Sequence, residues 1–398
     1  MFFASLWAAV VIVTAGKGSY MLGLEGCKFL IVGAGLWGSV LAERIASRLG
    51  ERVIVIDRRP HAGGNCRSYC EPTTGIECHA YGTHVFHTSI PRVWEYIRAF
   101  SEFTPYRHKV LTEYRGRVYP MPISLASINS FYNLNLRPWE VDAFIRAEAG
   151  KEMKDAPANL EEKAISLVGR PLYAAFIKGY SQKQWGCDPR ELPAAVITRL
   201  PVRANYNTEY FNDPWQGLPK DGYAALFARI LAHPLIDAHL GVDYADIAEQ
   251  VSDDCRVFYS GPIDAFFGFS LGALQWRSLR FEQEIAPHAD YQGTAVLNQA
   301  DIEVPFTRTH EYKHLHPERG EQGKRSVIER EYPKACAPGD EPYYPVNTPE
   351  NEHLLAAYQA KLAERPNVTL GGRLGSYAYI DMDTTIASAL ALADTLCA

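Results

Sequence analysis

At 398 residues, with a net charge of −6 and 22% charged residues, the chain is too long for one small core and too acidic to bind nucleic acid non-specifically. Any anionic ligand must therefore be gripped by local arginines. The eight cysteines, at 27, 66, 70, 78, 187, 255, 336 and 397, do not form the even framework of a small secreted domain, which predicts free thiols in a reducing compartment.

In chain order, residues 2–16 are strongly apolar but shorter than the roughly 20 residues a spanning helix needs. No basic segment precedes them, as a secretory signal would require. Met21 offers an alternative start, so residues 1–27 read as an extension outside the fold, with a peripheral membrane anchor as the alternative. Residues 28–65 then form one unit. An apolar run leads into Gly33-Ala-Gly35-Leu-Trp-Gly38, a helical pattern follows, and a second apolar run stops at Asp57. Strand, turn, helix, strand and acidic stop are the parts of a dinucleotide site. Gly33 makes the tight turn, Gly35 admits a pyrophosphate, Gly38 lets helix and strand pack, and Asp57 accepts from a ribose hydroxyl. The helix N-terminus supplies the anion site. Arg58-Arg59 and Gly63-Gly64-Asn65 follow, and this second glycine pair favours FAD over NAD, as in flavoproteins of the glutathione reductase type.

Cys66, Cys70, Cys78, His79, His84 and His87 lie close in sequence, but their spacing fits no usual zinc pairing, and no metal is expected. The segment Tyr81-Gly-Thr-His84-Val-Phe-His87-Thr belongs near the cofactor. From Pro91 to about Arg199 the pattern is mainly helical, with prolines 120, 122 and 138 breaking it into short pieces. The Asn- and Pro-rich stretch 200–218 reads as a mobile loop. A buried strand near Val257 returns the chain to the nucleotide domain, alternating segments between 279 and 332 predict an antiparallel sheet, and Asp383 is the expected N-cap of a last helix.

The predicted fold is α/β: an FAD-binding Rossmann-like domain with an inserted helical domain and an antiparallel sheet domain. Its expected parts are an extension (1–27), a discontinuous FAD-binding domain (28–90, 218–268 and 337–398), a mainly helical substrate domain (91–200), a mobile loop (201–217) and an antiparallel sheet domain (269–336).

Further blocks run in order behind the glycine motif: Ile177-Lys-Gly-Tyr180-Ser-Gln-Lys-Gln-Trp185-Gly, Arg199-Leu-Pro-Val-Arg203, Gly261-Pro-Ile-Asp264, Glu341-Pro-Tyr343-Tyr344-Pro-Val-Asn347, and Gly371-Gly-Arg373 with Asp381-Met382. With these blocks the chain resembles the bacterial UDP-galactopyranose mutases. The resemblance implies an isomerase that interconverts UDP-galactopyranose and UDP-galactofuranose for cell-surface polysaccharide. In that family, N5 of reduced FAD attacks the anomeric carbon, UDP leaves, and an iminium adduct recyclises through O4.

The resemblance also implies site roles. Arg199, arriving as its loop closes, and Arg308 would hold the diphosphate, with Tyr344, Tyr379 and the loop tyrosine Tyr210 beside it. Phe176 and Tyr180 would take the uracil and Trp185 the sugar, with Asn347 also on the substrate side. A plain helix-core role stays open for Phe176. His84 would approach the flavin and accept its N5 proton, with turn stabilisation as its alternative. Arg58, Gly64, Asn65, Gly372, Arg373, Asp381 and Met382 would complete the FAD site. Ile380 stands where many relatives carry an aromatic residue. A cytoplasmic homo-oligomer with UDP-galactose as substrate is expected. The runner-up is an FAD-dependent amine oxidase or desaturase, which would need an apolar or amine-binding pocket instead of phosphate-binding arginines.

Overall fold

The computed structural model describes residues 22–152, 156–197, 202–320 and 323–398. Two sheets organise them. The first is parallel, with strands in the order Val368–Leu370, Arg256–Tyr259, Phe29–Val32, Val53–Asp57 and Ile236–Leu240. Phe29–Val32 and Val53–Asp57 are buried at every position. Both faces of this sheet are covered, which is why these strands read as continuous apolar runs without alternation. Ile31, Val53, Val55 and Phe258 face the helices Leu36–Arg44 and Met382–Cys397, while Leu30, Val32, Ile54, Ile56 and Val257 face the opposite side.

Leu22, only 5% exposed, packs into that opposite cluster, with Leu24 and Cys27 beside it. The expected 1–27 extension is thus corrected for residues 22–27, which cover the apolar underside of the sheet. Residues 1–21 lie outside the described part.

The second sheet has seven strands, in the order Tyr344–Pro345, Trp276–Ala286, Ser326–Ala335, Arg308–Glu311, Val296–Gln299, Val110–Tyr114 and Arg117–Met121. It is antiparallel except where Val296–Gln299 meets Val110–Tyr114 in parallel. The sheet is therefore mixed and extends beyond 269–336, and the span 91–200 contributes a hairpin as well as helices. Pro120 reads as a breaker but sits on the outermost strand, where a missing ladder donor costs nothing. Arg115 and Gly116, both at positive φ, make the tight turn.

The helices Pro91–Arg98, Leu125–Tyr132, Pro138–Gly150, Leu160–Leu172 and Gly179–Trp185, with shorter helical turns between them, carry most of the rest of that span. Trp215–Gly217 is a strand paired with Phe86–Thr88, which removes the end of the expected 201–217 loop. The remainder is tethered by Arg203, 8% exposed, whose guanidinium donates to the carbonyls of Asn207 and Glu209 and to Asn212 Oδ1. The N-cap position of the last helix is Asp381, without a side-chain capping bond, instead of Asp383, which falls in the first turn and accepts from Thr88 Oγ1 at 3.1 Å.

Candidate cofactor and substrate site

Four of the five parallel strands end in loops that meet at one edge of the sheet, and the glycines there work by lacking side chains. Gly33, at φ +105°, would place a Cβ 2.0 Å from Ser260 Oγ. At Gly38 a Cβ would lie 2.0 Å from the Gly33 carbonyl and 2.9 Å from Ile31 Cγ2, so helix and strand touch through backbone. Gly64 faces Gly35, with a Cβ built on Gly64 3.2 Å from Gly35 Cα. Gly371 lies so close to the Trp37 ring that a Cβ would come within 2.0 Å of it, and Gly372 follows at φ +72°. The helix Leu36–Arg44 starts at Gly35 with no side-chain cap, so its first N–H groups are free to meet an anion.

Asp57 sits at the end of its strand as expected, but its two oxygens already accept from the Ala34 and Arg59 N–H groups, at 2.8 Å each. Burial raises its pKa against these hydrogen bonds. Arg58, exposed, and Arg59 both donate to Glu341 Oε2, and Arg59 also reaches Asn65 Oδ1 at 2.9 Å. Arg59 lies over the Tyr81 ring, and its Nη1 is buried without a partner. A glycine-made cradle, an uncapped helix N-terminus and an orphaned buried guanidinium nitrogen together fit a dinucleotide pyrophosphate.

His84 Nδ1 donates to the Gly82 carbonyl at 2.8 Å, which leaves Nε2 as an acceptor. Burial lowers its pKa to about 4; the Gly82 hydrogen bond opposes this and nearby Arg373 adds to it, so the ring is neutral at pH 7. Its backbone is held from both sides: its N–H donates to His79 Nδ1 at 2.9 Å and its carbonyl accepts from Tyr223 Oη at 3.1 Å. His87 pairs with Asp213 at 2.7 Å and stacks on Phe211, with 3.7 Å between centroids. Met382 Sδ lies 3.4 Å from Cys66 Sγ, and Arg373 donates to the Ile380 carbonyl while lying over the Tyr379 ring.

From Arg373 the site continues through side chains. Tyr379, 52% exposed, stands 5.5 Å from the Tyr344 ring, and Tyr344 stands 6.5 Å from Trp185. Arg308 opens its strand directly across from Glu331, donates to Tyr180 Oη, and has a buried Nε without a hydrogen-bond partner. Burial works against the guanidinium charge, but the neighbouring Glu331 carboxylate outweighs it, so Arg308 stays charged. Burial pushes Tyr180 up to about 12 and raises Tyr344 and Tyr210, which remain neutral donors at physiological pH.

Tyr210, 44% exposed, meets the rings of His108 and Phe211 edge-on. Phe176 is 7% exposed and packs among Tyr114, Tyr119 and Phe131, the helix-core environment, so the uracil role expected of it stays a proposal. Asn347 is exposed in the turn after Tyr344. Arg199 lies outside the described residues.

Several residues escaped the sequence reading. Glu331, 2% exposed, receives Thr307 Oγ1 and faces His310, whose ring also bonds Thr83. Two positions away on the same strand face, Glu329 is buried and accepts from Tyr312 Oη, and burial raises its carboxyl to about 7. Asn298 pairs in register with Arg308 and has a buried Oδ1 without a partner. The alternation Glu329, Glu331 on a buried strand was the available signal for the carboxylates. Among the described residues, the only group of three potential metal-ligating side chains is Asp290, Glu311 and His314, away from the Cys66 to His87 segment. No helix among the described residues is long and apolar enough to cross a membrane.

The glycine cradle on the parallel sheet suits a dinucleotide cofactor, and the charged guanidinium of Arg308, bonded to Tyr180, suits an anionic, phosphate-bearing ligand. The comparisons agree. Residues 175–379 match the UDP-galactopyranose mutase family profile, and residues 31–100 match that of the NAD(P)-binding Rossmann-like domain. A protein described as "Probable UDP-galactopyranose mutase" from Klebsiella pneumoniae is 42% identical, over 92% of this chain and 93% of its own length. A dTDP-fucopyranose mutase from Escherichia coli is 39% identical, over 91% and 96%. Among solved structures, reduced UDP-galactopyranose mutase superposes with a TM-score of 0.70 at 15% identity, over 93% of this chain and 95% of that one. A putrescine oxidase variant superposes with a TM-score of 0.55 at 11% identity, over 92% and 98%. The chain belongs to the UDP-galactopyranose mutase family, a family of isomerases. This sets aside the amine oxidase reading, whose fold it shares.

Proposed function

We propose that the protein interconverts UDP-galactopyranose and UDP-galactofuranose using reduced FAD. The observation that carries this reading is Arg308: a charged guanidinium bonded to Tyr180, ion-paired through Nε with Glu331 at 3.5 Å but with no hydrogen bond at that nitrogen, and within electrostatic reach of Tyr344 and Tyr210. A diphosphate leaving group needs a fixed cation and neutral donors in such an arrangement. FAD, where bound, would supply the nucleophilic chemistry of the reaction.

The residues of this chain do the remaining work. The Gly33–Gly38 turn and Gly372 hold the pyrophosphate against helix N-termini. His84, neutral and with Nδ1 committed to the Gly82 carbonyl, is equipped to accept a hydrogen bond at Nε2 on the cofactor side. Arg308, with Tyr344, Tyr379 and Tyr210, holds the departing diphosphate in place for its return. Arg199 adds a second cation from the loop, Trp185 covers the sugar, Tyr180 and Phe176 take the base, and Asn347 borders the substrate side. Arg58, Asn65, Asp381 and Met382 complete the cofactor site.

A second reading, a mutase acting on dTDP-fucopyranose, is favoured by the 39% identical relative of that name. The test is to incubate the flavin-loaded protein with UDP-galactofuranose, with and without dithionite, and to follow UDP-galactopyranose by chromatography. Conversion only after reduction supports the proposal, and a higher kcat/KM with dTDP-fucofuranose would move it to the second reading. No conversion of either sugar despite bound flavin would reject both.

A further inference from the structure

The helix Gly179–Trp185 carries the side chains assigned to base and sugar at its two ends, Tyr180 and Trp185. Between them, Lys183 points to neither. Its Nζ donates to the backbone carbonyls of Gln299 (2.8 Å), Asp301 (2.8 Å), Val304 (3.0 Å) and Phe306 (2.9 Å). Gln299 ends the strand Val296–Gln299, and the other three carbonyls belong to its connection to the strand Arg308–Glu311. Hairpin connections usually span about 2–5 residues, and this longer one turns its carbonyls inward, where they cannot satisfy one another. An ammonium is all donor and carries no acceptor, and its three N–H groups, shared among the four carbonyls, can fill such a cage from within.

The same helix approaches the connection through bare backbone. A Cβ on Gly179 would fall 2.3 Å from the Ala300 carbonyl. On its other side, Arg277 donates to the carbonyls of Gln184 (2.9 Å) and Lys183 (3.3 Å), fixing the end of the helix against the strand Trp276–Ala286. The connection then leads into Arg308, whose guanidinium bonds back to Tyr180 on that helix. Lys183 therefore closes a ring of contacts: helix, carbonyl cage, Arg308, Tyr180, helix.

We propose that Lys183 is a positioning residue: its ammonium is the internal cation around which residues 299–306 fold, and it sets the spacing between Arg308 and the Tyr180–Trp185 helix. The proposal rests on the reading of Arg308 as the diphosphate cation. Lys183 touches no reacting atom in this scheme.

Replacing Lys183 by alanine deletes the equivalent of propylammonium and leaves the cage empty. In dithionite-reduced K183A enzyme, kcat/KM for UDP-galactofuranose should fall about 10²-fold, the scale of a roughly 1 Å misplacement, while flavin absorbance per protein stays at the wild-type value. Millimolar propylammonium should restore much of the loss. Tetramethylammonium, which has no N–H, should not. K183M, which keeps the stem and removes the donors, should lose activity and resist rescue, and it serves as the second variant if K183A does not fold. Wild-type kcat/KM in either folded variant, or a K183A loss that propylammonium leaves untouched, would overturn the proposal. If the wild-type enzyme itself fails to convert the sugar nucleotide, the function reading falls instead. The cage would then be judged by whether propylammonium, and not tetramethylammonium, raises the Tm of K183A.

Discussion

The two halves of the site are built from opposite materials. On the cofactor side, backbone approaches backbone, and the residues that matter are those with nothing to present: Gly33, Gly35, Gly38, Gly64, Gly371 and Gly372. On the substrate side nearly every contribution is a side chain, and Arg308, Tyr344, Tyr379, Tyr210 and the helix that carries both Tyr180 and Trp185 come from separate segments of the chain. A cradle of backbone fails by addition of an atom, whereas a wall of side chains fails by removal of one. The two halves should therefore answer differently to mutation, with the cradle losing cofactor and the wall losing turnover.

The strongest test of that contrast is Gly38→Val. Its Cβ would meet the Gly33 carbonyl at 2.0 Å, and no flexible side chain can yield there. Purified G38V should carry no flavin, read from the ratio of visible to ultraviolet absorbance, and a flavin-loaded variant would break the comparison at its root. Next comes Arg308→Ala, which should keep its flavin and lose about 10²–10³-fold in kcat, the range for removing one donor aimed at developing charge. Loss of flavin in that variant would erase the distinction between the halves.

A smaller effect sharpens the boundary beneath both. The Glu329 carboxyl moves from 4.5 to about 7 on folding, chiefly through burial. Between those values the folded chain holds a proton that the unfolded chain has released, so stability falls as pH rises through this window and levels off above it. Glu329→Gln should remove this slope. Its Tm should exceed that of the wild type at pH 8 by the equivalent of about 3 kcal/mol at most and converge with it near pH 4.5; parallel curves would show that the carboxyl does not titrate alone. The smallest change expected is that of Phe211→Ala, which removes the stack on His87. A lost aromatic pair is worth about 1 kcal/mol, so KM should rise by roughly fivefold with flavin unchanged, and an unaltered KM would detach the loop from the substrate side.

The same contrast explains what could be read in advance. Glycines at fixed spacing behind an apolar run leave a local signature, so the turn at Gly33 and the acidic stop at Asp57 were legible from a few dozen residues. What Asp57 does with its oxygens was not, because the Ala34 and Arg59 amides that occupy them are placed by the turn itself. The substrate wall has no local signature. Arg308, Tyr344 and Trp185 became candidates only through resemblance, and Asn298, Glu331 and His310 were missed because their partners lie on neighbouring strands. The hairpin Val110–Met121 was hidden by Pro120, a breaker everywhere except on an outer strand. Leu22 was assigned to the extension because the apolar surface it covers comes from residues far along the chain.

The small ladder in which Phe86 meets Gly217, His87 meets Gln216 and Thr88 meets Trp215 has a mechanical consequence. It splices the segment bearing His84 to the end of the segment bearing Tyr210, so the imidazole on the cofactor side and the phenol on the substrate side hang from one hydrogen-bonded seam. A shift of the former by even a fraction of an ångström has a short, stiff route to the latter. If His84 serves the cofactor and Tyr210 the substrate, this backbone ladder is a direct structural link between the two.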